Sequence, residues 1–421
     1  MESILIKPSK LNGTITIPPS KSMSHRAIIC ASLCSDGDES IIDNVILSDD
    51  IEATIGGMKQ LGAEINITEK NKNTYSLKIK RKASAKIDDA TISCNESGST
   101  LRFLIPVAMA LSEKCTFTGK GKLIERPLDI YYNIFDEHHI QYENNEGILP
   151  LKVNGRFEGG CYRMSGSVSS QFISGLLFAL PLAENDSKII ITDKMESSGY
   201  VDLTIDMLKK FNINIENINY HEFIIRGNSR YKPANYSIEG DYSQAAFFMT
   251  AHAIGNSVNV EGLRTESLQG DKEIINIIKK YEENCNEITI DASQIPDLVP
   301  IMTVLAALKD GKTTRIINAE RLRIKESDRL KSIASEMNKL GADVSELADG
   351  LLIKGQRMLH GNATVNSWND HRIAMSLSIA ATKCEHEIVL ENYKTVNKSY
   401  PDFWNDYKAL GGIIHELHMG K

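Results

Sequence analysis

The 421-residue sequence lacks the cysteine and histidine patterns of a metal site, and it lacks a long apolar run. Its seven cysteines form no CxxC pair, and their odd number favours reduced thiols over a disulfide framework. Its ten histidines include no HExxH motif, so a zinc site is not expected. The longest run without a charge or a strong break, residues 172–183, is too short to span a bilayer. The sequence therefore predicts neither a metal nor a membrane span.

The charge balance and the first residues argue against a nucleic-acid-binding protein and against a secreted protein. A net charge of −7 argues against nucleic acid as a partner, although it permits a local basic pocket. The opening residues, MESILIKP, have no basic region and no cleavage site, so no signal peptide is expected and the default expectation is the cytoplasm. With 42% apolar and 24% charged residues, a chain of this length is expected to form two or more globular domains.

One kind of segment recurs six times: a small or polar entry, followed by a helix-compatible run with almost no charge. Such runs predict helices that are buried on nearly all sides. The Ser and Asp residues at their starts are good N-caps. The six runs begin at Ser20, Ser97, Ser167, Asp241, Pro296 and Asp370.

A second, amphipathic helix is predicted after most of these runs, as in DDIEATIGGMKQLGAEI and RLKSIASEMNKLGADV. Gly62, Gly341 and Gly411 lie where helix C-caps belong. Short β-rich stretches fill the gaps, so each repeat reads as strand, buried helix, strand, amphipathic helix, strands. Six repeats suggest two domains of three, with chain crossovers at the N-terminal strand and near residues 236–241.

Basic residues concentrate at the predicted helix entries. Cations beside helix N-termini are disfavoured unless anions bind there. A single cation is more simply interpreted as a solvated surface charge, but so many at equivalent positions predict a site for a polyanionic ligand. If the buried helices run parallel, a cleft between the domains would trap anions. The cations are Lys21, Arg26, Arg102, Arg126, Lys325, Arg329, Arg372 and Lys398.

Hydroxyls and carboxylates accompany these cations. Ser169, Ser170 and Ser197 could bind phosphate or could be ordinary N-caps. Asp297 begins an uncharged helix, so it could be an N-cap, and Glu326 could form a salt bridge with its basic neighbours. Two carboxylates near a cationic cleft would also suit one base and one acid.

Seven motifs make the chain recognisable: PSKSMSHR, SGSTLRF, ERPLD, GSVSSQF, IPDLVP, RIKESDR and NDHRIAM. With these motifs in family order over nearly its whole length, the chain resembles the EPSP synthase (3-phosphoshikimate 1-carboxyvinyltransferase) family of enolpyruvyl transferases. The resemblance implies a two-domain inside-out α/β barrel, in which each domain has three βαβαββ units with buried parallel helices. It also implies a discontinuous first domain, residues 1–19 and 240–421, a second domain, residues 20–239, and an active site in the cleft between them.

The resemblance implies transfer of the enolpyruvyl group of phosphoenolpyruvate to the 5-hydroxyl of shikimate 3-phosphate, without a cofactor, in aromatic amino-acid biosynthesis. Asp297 matches the proton acceptor and Glu326 the proton donor. The implied shikimate 3-phosphate contacts are Lys21, Ser22, Arg26, Ser169, Ser170, Gln171, Ser197, Asp297 and Lys325. The implied phosphoenolpyruvate contacts are Lys21, Gly98, Arg126, Gln171, Arg329, Arg372 and Lys398.

Two alternatives and several departures from the family pattern remain open. The related transferase that acts on UDP-N-acetylglucosamine normally carries a cysteine where this chain has Gly121. A non-catalytic anion-binding protein would not need Asp297 and Glu326. Some relatives have proline where Phe103 stands and asparagine where Arg321 stands, so Arg321 is left out of the predicted site. The resemblance also implies a monomer and competition between glyphosate and phosphoenolpyruvate.

Overall fold

A computed structural model describes residues 2–34, 39–71, 73–81 and 87–417. The chain divides into two compact units, one formed by Met1–Pro18 with Gly240–Lys421 and the other by Pro19–Glu239. Each unit has its own cluster of buried apolar side chains. The domain assignment made from the sequence, with boundaries at 19/20 and 239/240, stays a prediction.

The helices alternate with short strands throughout both units. The α-helices are α1 Lys21–Ser32, α2 Asp49–Gln60, α3 Gly98–Leu111, α4 Asp129–Glu137, α5 Ser170–Ala179, α6 Ser198–Lys210, α7 Tyr242–Ala253, α8 Ile274–Lys280, α9 Val299–Ala307, α10 Arg329–Lys339, α11 His371–Ala381 and α12 Phe403–Ala409. Short 3-10 helices cover Gly121–Glu125, Leu180–Leu182, Gly270–Glu273, Pro296–Leu298, Glu320–Ile324 and Tyr393–Lys398. Within the described ranges, no helix is both long and apolar enough to cross a membrane.

The strands are short, and most are paired within four-stranded sheets. They are β1 Ser3–Lys7, β2 Asn12–Thr16, β3 Ser40–Val45, β4 Ala63–Asn71, β5 Thr74–Arg81, β6 Ile87–Ser93, β7 Ser112–Thr118, β8 Gln141–Asn145, β9 Ile148–Asn154, β10 Gly160–Met164, β11 Ser187–Ile191, β12 Ile215–Ile218, β13 Glu222–Ile225, β14 Asn235–Ser237, β15 Ser257–Glu261, β16 Glu287–Asp291, β17 Thr313–Ile317, β18 Asp343–Glu346, β19 Leu351–Lys354, β20 Ala363–Asn366, β21 Ile388–Glu391 and β22 Ile413–Leu417.

The sheets follow one repeating pattern. In the Pro19–Glu239 unit the strand orders are β14-β3-β5-β4, β6-β7-β9-β8 and β10-β11-β13-β12. The first two strands of each sheet are parallel, and the others pair antiparallel. The run β6-α3-β7-α4-β8-β9 is therefore one complete βαβαββ repeat. In the first sheet, β14 comes from the end of the unit, so that repeat is closed by a strand remote in sequence.

The other unit repeats the pattern in the sheets β16-β17-β19-β18 and β20-β21-β1-β22. The N-terminal strand β1 completes the second of these sheets by pairing antiparallel to both β21 and β22. The third sheet contains the parallel pair β2 and β15. The predicted six-repeat α/β organisation is confirmed. The described residues form six sheets, and one of the six predicted buried helices occurs with each sheet.

The predicted buried helices are α1, α3, α5, α7, α9 and α11. Every residue of α9 and α11 is buried, and these two helices pack on each other and on α7. The predicted caps at Ser97, Asp241 and Asp370 are confirmed, because each side chain accepts a backbone N–H of its helix. The predicted cap at Ser20 is wrong, because its side chain makes no capping hydrogen bond to α1.

The predicted amphipathic helices are also present, as α2, α6, α10 and α12. Gly62, Gly341 and Gly411 each follow the C-cap residue of a helix, with φ of +87°, +93° and +93°. Glycine adopts this left-handed conformation without the steric cost of a Cβ. The helix ends predicted from these glycines are therefore confirmed.

Candidate active site

In the Pro19–Glu239 unit, the predicted ligands lie at helix starts. Lys21 is the first residue of α1 and Gly98 is the first residue of α3. Ser170 is the first residue of α5, and Ser197 directly precedes α6. Backbone N–H groups and the partial positive charge at such positions attract anions. Lys21, Gly98 and Ser170 thus lie at equivalent positions of successive repeats, whereas Ser197 lies at the start of the amphipathic helix of the third repeat.

Lys21 is held by a carboxylate of the neighbouring helix. Its Nζ lies 2.6 Å from Asp50 Oδ2, and both side chains are largely shielded from solvent. Ser22, the next residue, is half-buried. A bound phosphate would therefore compete with Asp50 for the Lys21 ammonium group.

Arg26 is buried between α1 and α6. Its Nε donates to Thr204 Oγ1 at 2.8 Å, its Nη1 to the Ser22 carbonyl at 2.7 Å, and its Nη2 to the Tyr200 carbonyl at 2.9 Å. Burial lowers the pKa of Arg26 to about 10. The guanidinium therefore holds the two helix starts together, and its predicted contact with the substrate stays a prediction.

Position 98 requires glycine because the Arg126 side chain lies close to its backbone. A Cβ at Gly98 would lie 2.5 Å from Arg126 Nη1 and 2.9 Å from its Cζ. Arg126 directly follows the 3-10 helix Gly121–Glu125 and is 6% exposed. Any larger residue at position 98 must displace the arginine, because these distances are shorter than real Cβ contacts. The two predicted phosphoenolpyruvate ligands are therefore neighbours.

Gln171 is oriented by two partners on α3. Its Oε1 accepts from Arg102 Nη1 at 2.9 Å, and its Nε2 donates to Ser99 Oγ at 2.9 Å. Ser169, which could be an N-cap or a phosphate ligand, accepts from the Gln171 backbone N–H at 3.3 Å and so caps α5. Ser170 is 5% exposed. Arg102, one of the basic residues of the helix entries, thus fixes a predicted ligand.

Ser197 has a backbone conformation that the sequence does not reveal. Its φ of 54° and ψ of 42° are left-handed, and the residue is 3% exposed. Left-handed conformations of residues other than glycine cost about 1–3 kcal/mol and cluster at functional sites. Tyr200, which was also singled out at this entry, lies on the first turn of α6 and is half-buried.

In the other unit, Arg329 is the centre of a buried ionic cluster. Its Nη1 is 2.8 Å from Asp297 Oδ1, its Nη2 is 2.7 Å from Glu326 Oε2, and its Nε is 2.8 Å from Asp370 Oδ2. Arg329 is 1% exposed. Burial alone would lower its pKa, but the three carboxylates outweigh burial and hold the pKa well above its usual value. The cluster brings both predicted proton-transfer residues to one guanidinium.

Asp297 is bound by two arginines. It lies in the 3-10 helix Pro296–Leu298 before α9, and its Oδ2 is 2.8 Å from Arg372 Nη2. Burial raises the pKa of Asp297, but the charges of Arg372, Arg329 and Lys325 outweigh burial and hold the pKa well below its usual range. The carboxylate is therefore ionised. The alternative of a simple N-cap is inadequate, because both carboxylate oxygens bind guanidinium groups.

Glu326 does form the salt bridge that the sequence allowed as an alternative. Its partner is Arg329, three residues along the chain, and the glutamate side chain is 21% exposed. Lys325 beside it is the C-cap of the 3-10 helix Glu320–Ile324 and has an extended backbone. A salt bridge and a proton-transfer role are compatible, since a ligand carboxylate can take the place of Glu326 on Arg329.

Lys398 is held by the segment that precedes α11. Its Nζ donates to the Asn369 carbonyl at 2.9 Å, and the residue is 8% exposed. Trp368 and Asn369 have φ of 54° and 56°, which is unusual for a bulky side chain such as tryptophan. This bend orients the Asn369 carbonyl toward Lys398 immediately before the helix start that carries Arg372.

Similar proteins identify the family of this chain. Residues 5–407 match the family model described as EPSP synthase (3-phosphoshikimate 1-carboxyvinyltransferase). The chain belongs to this family. A protein of Clostridium novyi (strain NT) named 3-phosphoshikimate 1-carboxyvinyltransferase is 54% identical, with all of both chains covered. One of the same name from Clostridium perfringens (strain ATCC 13124) is 52% identical, over 98% of this chain and 99% of the relative.

A solved EPSP synthase structure from Acinetobacter baumannii has the same fold. The TM-score is 0.78 at 23% sequence identity, and the match covers 99% of this chain and all of the other. A second structure from the same organism gives a TM-score of 0.77 at 22% identity. The predicted fold class is therefore confirmed.

Sequence reasoning missed Asp271 in this EPSP synthase family member. The residue lies in the 3-10 helix Gly270–Glu273, is 3% exposed and accepts a hydrogen bond from Ser243 Oγ. Burial and the nearby Asp297 charge raise the pKa of Asp271 to about 7, although Arg372 and Ser243 oppose the shift. A single aspartate in the stretch LQGDKE offers no signal of such burial.

Asp370 was recognised only as a helix start. It does cap α11 by accepting the Arg372 backbone N–H at 2.9 Å, but its other oxygen binds Arg329 and Ser327 Oγ. The side chain is fully buried. Asp370 therefore contacts two arginines of the predicted site, and a linear pattern cannot show this.

Proposed function

We propose that the chain transfers the enolpyruvyl group of phosphoenolpyruvate to the 5-hydroxyl of shikimate 3-phosphate and releases phosphate. Family membership supports the reaction class. The observation that carries the proposal for this site is the buried cluster in which Asp297 and Glu326 share Arg329. A carboxylate pair around one guanidinium suits a reaction that takes a proton from one atom and delivers one to another.

The arginines and lysines are assigned to anion binding. Gly98, Arg126, Arg329, Arg372 and Lys398 are assigned to phosphoenolpyruvate. Bidentate guanidinium contacts to carboxylate or phosphate are strong and directional. Lys21, Ser22, Arg26, Ser169, Ser170, Gln171, Ser197 and Lys325 are assigned to shikimate 3-phosphate, with Lys21 and Gln171 also reaching phosphoenolpyruvate.

The proposed chemistry is addition followed by elimination. Asp297 takes the proton of the 5-hydroxyl as the hydroxyl oxygen attacks C2 of phosphoenolpyruvate. Glu326 delivers a proton to the C3 methylene carbon. The product of addition is a tetrahedral ketal that carries a new methyl group. Glu326, left ionised by the addition, then takes a proton back from the methyl group as phosphate leaves, and the double bond of the enolpyruvyl product is restored. The arginine charges stabilise the anionic groups throughout.

The ionic cluster suggests how ligand binding makes Asp297 a better base. In the cluster, Asp297 is ionised because Arg329 and Arg372 bind it. An ion held in this way is a weak base. When the phosphoenolpyruvate carboxylate takes up the same guanidinium groups, their hold on Asp297 weakens and its basicity rises. Glu326 also gives up part of its contact with Arg329 to the ligand carboxylate.

The remaining assignments follow from composition and from the family. We place the enzyme in the cytoplasm as a monomer, with no nucleic acid partner and no cofactor, and with a role in chorismate and aromatic amino-acid biosynthesis. The acidic net charge of −7 supports the absence of a nucleic acid partner.

The test is phosphate release from phosphoenolpyruvate, measured with each substrate alone and with both, in the presence of chelator. Release is expected only when both substrates are present. UDP-N-acetylglucosamine replaces shikimate 3-phosphate in a parallel reaction. Turnover in that reaction alone would assign the chain to the related transferase. Binding of both substrates without turnover would assign it to the non-catalytic class.

A further inference from the structure

Two exposed histidines and a glutamate converge outside the ionic cluster described above. His360 precedes β20, whereas Glu385 and His386 lie between α11 and β21. One potential ligand atom from each residue lies within 4.8 Å of the others. His360 Nδ1 is 3.5 Å from Glu385 Oε2, and the two imidazole rings are 5.0 Å apart at an angle of 81°. The three side chains therefore surround one small volume.

The backbone holds the two segments in place without any ligand. Leu359 and Cys384 form a parallel β-bridge, and both are buried. The Glu385 N–H donates to the Leu359 carbonyl at 2.9 Å, and the His386 N–H donates to the His360 carbonyl at 3.1 Å. Because these bonds already order the segments, an ion would have to order only three side chains. Because the backbone is already ordered, much of the entropic cost of forming a metal site is removed.

The donor set has a defined chemical preference. Imidazole nitrogens suit zinc, copper and nickel, whereas magnesium and calcium prefer oxygen ligands alone. Two histidines and one glutamate form a known three-residue zinc set, in which water completes the coordination. Metal–ligand distances of about 2.0–2.2 Å require the donor atoms to be closer together than 4.8 Å. The exposed side chains can close this difference by rotation about their own bonds.

We propose that His360, Glu385 and His386 form a binding site for one divalent transition-metal ion of the zinc, nickel or copper class. The site lies beyond the C-terminal end of α11, whereas Arg372 lies on the first turn of that helix. An 11-residue helix is about 16 Å long, so the ion would not touch the anion-binding arginines. The site is therefore separate from the transfer chemistry, and chelators are expected to empty it without loss of phosphate release.

Titration calorimetry of the untagged full chain with zinc and with nickel tests the proposal. One equivalent of either ion is expected to bind at neutral pH, and magnesium is expected not to bind. Failure to bind one equivalent of either ion would overturn the proposal.

Variants locate the ion. His360→Ala, His386→Ala and Glu385→Gln should each weaken binding by at least about tenfold, since loss of even an outer partner of a metal ligand costs roughly 10- to 100-fold. His221→Ala is the matched control, because His221 is equally exposed on a different unit. Unchanged zinc affinity in the double variant of His360 and His386 would overturn the proposal. Thermal unfolding and phosphate release, expected to be unchanged in all variants without metal, exclude misfolding as the cause.

Discussion

Arg329 Nη1 and Asp297 Oδ1 are 2.8 Å apart, although the two residues are separated by 32 positions in the chain. The same guanidinium binds Glu326, so the proposed base and the proposed acid compete for one cation. A ligand carboxylate that enters this competition weakens the contact of Arg329 with both groups at once. The first two predictions depend on this arrangement.

Asp297→Asn is expected to fold and to lose roughly 10²- to 10⁴-fold in kcat, the usual contribution of a proton-transfer partner. The amide can still accept from Arg372, but it cannot take the hydroxyl proton. Steady-state phosphate release measures the loss, and thermal unfolding checks the fold. Asp343→Asn is the control, because Asp343 pairs with Lys354 on the surface at 3.1 Å. Near-native turnover in Asp297→Asn would reduce the residue to an anchor for the arginines.

Glu326→Gln is expected to bind both substrates and to lose most turnover, by a factor in the same range of roughly 10² to 10⁴. A glutamine can still accept from Arg329 but cannot deliver a proton to carbon. The measurement is kcat together with the KM of each substrate. Glu346→Gln, which removes the charge of a surface partner of Arg323, is the control. If kcat is unchanged and only stability falls, the salt bridge is the whole role of Glu326.

Gly98→Ala is expected to weaken competitive inhibition by glyphosate more than it weakens substrate use. The added methyl group must displace Arg126, whose Nη1 would lie 2.5 Å away, so a rise in the KM for phosphoenolpyruvate is also expected. Titration of glyphosate against phosphoenolpyruvate at saturating shikimate 3-phosphate measures both effects.

Gly56→Ala on α2 is the matched control for this substitution, because a Cβ there meets nothing within 4 Å. If the unmodified chain shows no competition between glyphosate and phosphoenolpyruvate, the argument from Gly98 fails. The proposed transfer activity would not be affected by that result, because substrate binding is assigned mainly to the cationic residues and not to Gly98 alone.

Asp271→Asn is expected to change how stability depends on pH. The pKa of Asp271 is raised to about 7 by burial and by the Asp297 charge, whereas an unfolded aspartate titrates near 3.9. Its protonated form therefore stabilises the fold fully below about pH 4, and this stabilisation is lost as the pH rises through 7. Relative to the variant, the unmodified chain should lose roughly 2–3 kcal/mol of unfolding free energy between pH 5 and pH 8, and about 4 kcal/mol between pH 3 and pH 8.

Denaturant unfolding at several pH values measures this difference for Asp271. Asp310→Asn is the control, since Asp310 is exposed and paired with the exposed Arg357. Parallel stability curves for the unmodified chain and Asp271→Asn would show that the carboxyl group titrates alike in the folded and unfolded states.

The sequence by itself determined the repeat and the identity of most candidate ligands. The six buried helices are visible because an apolar surface all around a helix needs an apolar sequence on every face. Gly62, Gly341 and Gly411 mark helix ends because the required left-handed backbone is local and favours glycine. Such features depend only on residues a few positions apart, and for this reason a linear pattern reports them.

Only the tertiary structure decided which groups touch. Asp297, Glu326 and Asp370 meet on Arg329, and His360 meets His386, because strands and helices remote in sequence pair and pack. The burial that raises the pKa of Asp271 and the left-handed backbone of Ser197 also depend on the surrounding fold. Charge, distance and desolvation are properties of the three-dimensional environment, so the same residue types carry no such information in the sequence.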